Sequence, residues 1–317
     1  MTPVPIRPLH TRTLYLVFAA ALILTPVYPA AASSVCIVLS NESAQFKETV
    51  QGFQTAWAQH GFSSEITIHL LSRDGDQPLQ IARSLEQSKA AYILSLGSQA
   101  ARILSQENFG IPLIIGLVFS ATEIADVANS TGVYLEIPIE VQVSTIMRLF
   151  PKARRVGVLY SKENEPKIME AARLFKKNGL SLEAQETLLP QHIPYALESV
   201  RKKADLLWGL MDKVVLTPET ARQILLFSLR NELPFIGPSE NWARAGAVAA
   251  FSWDFADLGA QCAEIILAMI NGTPAAEIPP VGPRKIAYTL NMRTAAQMKM
   301  GFDRNIINDS KQVFRGD

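Results

Sequence analysis

From Val35 onward, short β-branched runs alternate with amphipathic segments of helical period, and that alternation leaves few folds open to the chain. "VCIVLS" (35–40) predicts a strand. From Gln45 to His60, Phe46, Val50, Phe53 and Trp57 recur every three or four residues, which predicts a helix with one apolar face, stopped at Gly61. "EITIHLL" predicts a strand, Pro78 opens a helix through Ser88, and "AYILSLG" is a strand ending at Gly97. "SQAARILSQ" then predicts a helix and "IPLIIGLVF" a strand. "EITIHLL" alternates, and the succession as a whole has the βαβαβ rhythm of an open parallel sheet covered on both faces.

The rhythm restarts in the second half. Helices are predicted over Glu140 to Phe150, Glu165 to Asn178, His192 to Lys203, Pro218 to Glu232 and Leu258 to Asn271. Between them "RRVGVLYS", "LSLEAQETL", "ADLLWGLM", "LPFIGPS" and "AVAAFS" read as strands. With 317 residues, two such α/β units are expected. The tail, "PVGPRKIAYTLNMRTAAQMKMGF", reads as a strand and a short helix that return to pack on an earlier unit.

The N-terminus has the layout of a secretory signal: Arg7 and Arg12, then the uncharged run Leu14 to Leu24, then Pro26, Pro29 and small residues. Ala30 and Ala32 place cleavage after Ala32, giving a signal peptide over 1–32 and a periplasmic mature chain without membrane insertion. Val35 is a poor residue before a lipidated cysteine, so Cys36 is not read as a lipid anchor. Cys36 and Cys262 both sit in apolar contexts, which favours two buried thiols over a disulfide. The 30 basic and 29 acidic residues nearly cancel, so no basic surplus points to nucleic acid.

In an open parallel sheet the ligand sits beyond the carboxyl ends of the strands. The residues there are Ser40, Asn41 and Ser43; Gly97, Ser98 and Gln99; Phe119 and Ser120; Ser161 and Lys162; Asp212; Ser239 and Glu240; and Asp254. All are candidate ligand contacts. Ser98 opens a helix, where it either caps the free N–H groups or helps them hold a carboxylate or phosphate. Asp254 with Asp257 reads chiefly as a helix cap with an acidic first turn. Asp212 follows an apolar strand and precedes a helix that starts only at Pro218, so it is either a partner for a ligand ammonium or a solvated loop acid. Trp208, in mid-strand, reads as core, whereas Phe119 is the better platform for stacking.

Catalytic chemistry finds no foothold. None of the four histidines has a second one at i,i+4 spacing, and there is no G-x-S-x-G elbow, no P-loop and no G-x-G-x-x-G after the first strand. The chain is therefore read as a non-enzyme with no cofactor and no metal.

Four stretches carry a family resemblance, in order: "NSTGVYLEIPIEVQVSTIMRLFPKARRVGVLYS" (129–161), "ADLLWGLMDKVV", "LPFIGPSENWARAGAVAAFSWDFADLGAQCAEIILAMINGTPAAEIPP" and "YTLNMRTAAQMKMGF". Together they resemble the ABC-transporter substrate-binding proteins related to tryptophan/tyrosine-type binding proteins. The resemblance implies the periplasmic-binding-protein type I fold: two Rossmann-like lobes with parallel sheets and a ligand cleft between them. It implies lobe 1 over 33–138 plus 255–280, and lobe 2 over 139–254 plus 281–317. It implies a monomer that captures a small polar or amino-acid-like ligand and hands it to an ABC permease, with Asp212 taking an ammonium. Two departures bear on the ligand. Val118-Phe119-Ser120-Ala121 stands where relatives carry a "TDP"-like turn, and Lys213 stands where they carry a small polar residue, which would favour an anionic ligand. The same fold would also serve a periplasmic sensory module that presents its bound state to a receptor or sensor kinase.

Overall fold

The computed structural model describes residues 34–62, 66–71, 85, 89–106 and 109–315. The signal-peptide segment 1–32 and, apart from Leu85, the helix expected over 78–88 lie outside those residues.

Two sheets organise the chain. The first half supplies β1 (Val35–Leu39), α1 (Ala44–Gln59), β2 (Ile66–Leu70), β3 (Tyr92–Leu96), α2 (Ser98–Ser105), β4 (Leu113–Val118), α3 (Thr122–Ala125) and β5 (Ser130–Tyr134). These strands form a five-stranded parallel sheet in the order β2-β1-β3-β4-β5. The second half supplies α4 (Ile139–Leu149), β6 (Arg155–Tyr160), α5 (Glu165–Lys177), β7 (Ser181–Glu186), α6 (Ile193–Arg201), β8 (Leu206–Trp208), α7 (Pro218–Arg230), β9 (Phe235–Gly237), α8 (Glu240–Ala245), β10 (Ala249–Trp253) and α9 (Phe255–Ile270). The tail adds β11 (Ile286–Asn291), α10 (Met292–Gln297), α11 (Arg304–Asn308) and β12 (Gln312–Phe314). The second sheet has seven strands in the order β12-β11-β10-β9-β8-β6-β7. The architecture is thus α/β in two lobes, as the alternation and the resemblance implied.

Burial explains the unbroken apolar runs. Along β1, Val35, Ile37 and Leu39 face Phe53 and Trp57 of α1 and Leu258 and Ile266 of α9. The alternate residues Cys36 and Val38 face Ala100 and Leu104 of α2. A strand covered on both faces has no solvent side to fill with polar residues. The second sheet repeats the device. Val156, Val158 and Trp208 face Ile146 and Phe175, while Leu159, Leu207 and Phe235 face Leu197, Val200 and Ile224. Burying each such aliphatic side chain stabilises the fold by about 1.5–3 kcal/mol.

The structure departs from the sequence expectations in a few places. β11 runs antiparallel to β10, so the second sheet is mixed. β5, α3, α8, α11 and β12 are short elements that periodicity does not announce. α9 starts at Phe255 rather than Leu258, because Asp254 caps it there.

The chain passes between the sheets three times, and each passage is held by side chains. At the first, Leu135 N and Glu136 N donate to the carbonyls of Val118 and Phe119, and the Trp253 indole donates to the Leu135 carbonyl over 2.7 Å. Gln142 extends this anchor: its amide donates to the Ile137 carbonyl and accepts from the buried Trp208 indole. The second passage runs through Trp253, Asp254 and Phe255 into α9. At the third, Asp257, Gln261 and Glu264 line one face of α9. Gln261 bonds Gly282 and Arg284, and the Arg284 guanidinium donates to both carboxylates.

α9 then lies against α1 at backbone distance. A Cβ on Gly52 would stand 2.0 Å from the Ala256 carbonyl oxygen, and one on Gly259 would stand 2.0 Å from the Thr49 carbonyl oxygen. Only glycine admits so close an approach.

Candidate functional site

The ends of the strands are organised by two carboxylates, one in each lobe. In the five-stranded lobe Glu123, on the short α3, accepts from Phe119 N (2.8 Å) and Ser120 N (3.1 Å) through Oε1, and from Ser98 Oγ (2.9 Å) through Oε2. It therefore ties the loop after β3 to the loop after β4. Ser40 holds the same edge from the other side: its Oγ accepts from Ala100 N at 2.9 Å, in the first turn of α2. Gly97, between them, has φ +92°, and a Cβ there would sit 2.6 Å from Ser40 Oγ. The turn therefore excludes a side chain. Asn41 Oδ1 accepts from Ser43 N, a local Asx turn that sets the start of α1.

In the other lobe Asp212 has the corresponding place. It is 6% exposed, and its Oδ2 accepts from Ser161 N (2.6 Å) and Asn164 Nδ2 (2.8 Å). Its Oδ1 accepts from Val214 N (2.8 Å) and Val215 N (3.0 Å). Burial pushes the Asp212 pKa up, but the bonds from Ser161, Asn164, Val215 and Val214 outweigh it and hold the pKa below the ordinary carboxylate value. Four donors fill the lone-pair positions of a carboxylate. Asp212 thus binds the loop after β6 to the loop after β8, and it is a buried, bonded carboxylate rather than a solvated loop acid. Lys162 is exposed, and Lys213 pairs with Glu163 at the surface over 3.1 Å.

The candidate residues that meet across the two lobes are Ser43, Ser239 and Glu240. They line a cavity of about 310 Å³ between the start of α1 and the start of α8. Ser43 and Ser239 precede those helices without side-chain capping bonds. Ala44 and Gln45, in the first turn of α1, also line the cavity, and a helix start carries partial positive charge. Its walls also carry Glu48, Arg244, Lys311, Trp253 and Phe255. Arg244 pairs with Glu240 over 3.1 Å on its own helix. Lys311 pairs with Glu48 over 3.1 Å, donates to the Trp253 carbonyl at 3.0 Å, and lies 4.7 Å from the Phe255 ring centroid. The cavity therefore presents charges of both signs beside two aromatic rings. Phe119, 38% exposed, lines a smaller cavity of about 20 Å³ on the Leu135 side of Trp253, together with Met211.

The remaining candidates do not line the larger cavity. Ser40, Asn41, Ser98, Ser120, Ser161 and Asp212 make the loop bonds given above, Gly97 donates to the Gly116 carbonyl, and Gln99 follows Ser98 in α2. Asp254 Oδ1 accepts from Asp257 N at 3.0 Å, so it caps α9 as its pattern implied. Sequence reading missed Glu123, Asn164, Glu48, Arg244 and Lys311. A signal existed for Asn164, a polar residue one turn past a strand end, and for Arg244, four residues after Glu240. Lys311 comes from the tail, and nothing near it in the chain points to α1.

The family model described as ABC transporter substrate binding protein matches residues 34–314. A tyrosine-binding protein of Clostridioides difficile (strain R20291) is 22% identical over 275 residues, covering 82% of this chain and 79% of that protein. Among solved structures, the ligand-free, open form of a substrate binding protein with adhesive properties from Clostridium difficile superposes with a TM-score of 0.70. It has 18% identity and covers 90% of this chain and 100% of that one. An ABC domain in complex with L-Trp from Streptococcus pneumonia superposes at 0.55, also with 18% identity, covering 89% and 99%. At these identities the structures share the fold.

Proposed function

The chain belongs to the ABC transporter substrate-binding protein family, whose members are extracytoplasmic and non-enzymatic, and from that premise we propose that it captures an amino-acid-like solute between its lobes and delivers it to an ABC permease. The observation that carries this reading is the cavity of about 310 Å³ shared by α1 and α8, where both signs of charge face Trp253 and Phe255. Its volume lies near the lower end of the usual range for small-ligand sites, about 300–1,000 Å³. A zwitterionic amino acid matches the pattern. Its carboxylate faces the start of α1 and Arg244, its ammonium faces Glu240, and an apolar or aromatic side chain lies on the rings. The tyrosine and L-Trp named for the two relatives support the aromatic class. In this reading Asp212 holds the wall in shape and does not touch the ligand.

The lobes close on the ligand as a two-state clamp, pivoting on the three passages. Lobe 1 is 33–138 plus 255–280, and lobe 2 is 139–254 plus 281–317. Closure is favoured only by as much as the ligand prefers the closed form. The mature chain is a periplasmic monomer released by cleavage after Ala32.

Thermal unfolding of the chain from Ser33 against a panel of amino acids, purines, small carboxylates and phosphates tests the ligand class. A ligand at 100 times its dissociation constant adds about 2.7 kcal/mol, which for a protein of this size is a shift of several degrees. Stabilisation by Tyr, Phe or Trp is the expected result. Stabilisation by anions alone, or by nothing in the panel, overturns the amino-acid reading.

A further inference from the structure

Beside the interlobe cavity, with which it shares Arg244, α7, α8 and α10 enclose a groove of about 620 Å³ on the lobe of the seven-stranded sheet. Its floor is apolar. Ala221, Leu225 and Leu229 follow one another at i, i+4 and i+8 along α7, and Leu226 beside them is 38% exposed. Its rim is basic: α7 contributes Arg222, α8 contributes Arg244, and α10 contributes Arg293. Among the described residues no aspartate or glutamate lines it. Arg244 is engaged by Glu240 and by the Phe314 ring, 5.6 Å away. Arg222 and Arg293 are exposed and make no ion pair among the described residues. In a chain whose 30 basic and 29 acidic residues nearly cancel, this is a local separation of charge rather than a result of composition.

We infer that this groove docks an acidic amphipathic helix of a partner protein. A ridge of apolar residues one turn apart fits the apolar stripe of an opposing helix. Guanidinium groups on the rim pair with carboxylates in a forked geometry that rejects basic partners. The rim side chains are exposed, so the groove lies open along its length to an extended partner. One groove of this size is a small interface, suited to transient contact. The inference does not depend on which solute the interlobe cavity holds.

The test uses the full mature chain and two labelled, helix-stapled peptides that share a leucine stripe, one flanked by glutamates and one by glutamines. Fluorescence anisotropy is expected to show saturable binding of the glutamate peptide that weakens with salt. The double variant Arg222→Glu/Arg293→Glu should weaken it by about tenfold or more. Lys176→Glu/Lys177→Glu, the same change of charge on the exposed end of α5, should leave it within about twofold. Arg222→Gln/Arg293→Gln guards against a folding defect, and unchanged melting of both groove variants shows that the fold is intact. Equal binding of the glutamine peptide overturns the inference, as does equal binding by the Arg222→Glu/Arg293→Glu variant. So does binding dependent on Arg222 and Arg293 that goes to phosphatidylglycerol vesicles instead of the peptide. Self-association through the groove, seen as an arginine-dependent dimer in solution, overturns it as well.

Discussion

Lys311, in the tail just before β12, donates to both carboxylate oxygens of Glu48 on α1, at 3.2 and 3.1 Å, although the two residues stand at opposite ends of the chain. The pair joins the two lobes beside the cavity, and the same ammonium touches the Trp253 carbonyl at the second passage.

Lys311→Ala releases that tie. Both side chains are partly exposed, so the stability lost is expected to be small, about 1 kcal/mol or less. The larger expected effect is on lobe geometry: a broader distribution of lobe separations by small-angle scattering. A scattering profile identical to that of the wild type would show that the pair does not restrain the lobes.

Asp212→Asn replaces an acceptor that receives four donors with a group that turns an NH₂ toward some of them. The expected loss is about 2–3 kcal/mol of stability, read as a lower denaturant midpoint. Affinity for ligand per folded molecule should be unchanged. Glu240→Gln should do the reverse, weakening the ligand and sparing the fold. A variant at Asp212 that folds normally but binds poorly would return the ammonium role to that residue.

The same carboxylate sets a pH dependence. Its pKa in the folded protein lies below the ordinary 3.8. Its contribution is therefore complete above the unfolded value and is lost as pH falls through the folded one. Asp205, held low chiefly by its hydrogen bond from Arg155, acts in the same direction. Stability is expected to fall on the acid side of about pH 4, with a shallower fall in Asp212→Asn. Equal slopes would contradict this account.

Arg284→Ala removes the guanidinium that joins Asp257 to Glu264 and leaves a carboxylate 6% exposed with Lys285 as its remaining cation, 3.3 Å away. Removing a partner from a buried charge is costly. Hydrogen exchange is expected to rise over residues 280–286, the third passage, before it rises in either sheet. Arg284→Lys should restore protection in part.

Cys36 and Cys262 are both buried thiols, in keeping with their apolar contexts in the sequence. Burial pushes the Cys262 pKa up to about 12. A thiol reagent at mildly alkaline pH should therefore label neither residue in the native protein and both in denaturant. Rapid native labelling would mean that the five-stranded lobe opens locally.

The two-lobed α/β fold was legible because each central strand is buried on both faces, and burial of that kind writes itself as unbroken apolar runs such as 35–39 and 113–118. The reversal of β11 was not, since a strand of either direction beside β10 buries the same residues. Of the candidate site, the strand-end rule located the right edge of each sheet. It could not separate residues that brace loops, such as Ser40, Ser161 and Asp212, from those that face the cavity, such as Ser43 and Ser239. That distinction depends on where each side chain's donors and acceptors are spent, and the partners lie in loops far apart in the chain. Lys311 shows the limit most plainly, because its partner Glu48 is more than two hundred residues away.

The contact of α1 with α9 has a consequence for how the protein is made. The two helices meet at Gly52 and Gly259 with no room for a side chain, yet five of the seven strands of the second sheet are synthesised between them. The core beneath β1 stays uncovered until α9 has emerged from the ribosome. Contacts of such long range form slowly, and a nascent chain that has reached only Trp253 has no completed first lobe to collapse into. A chain of this order cannot complete its first lobe until its last fifth exists.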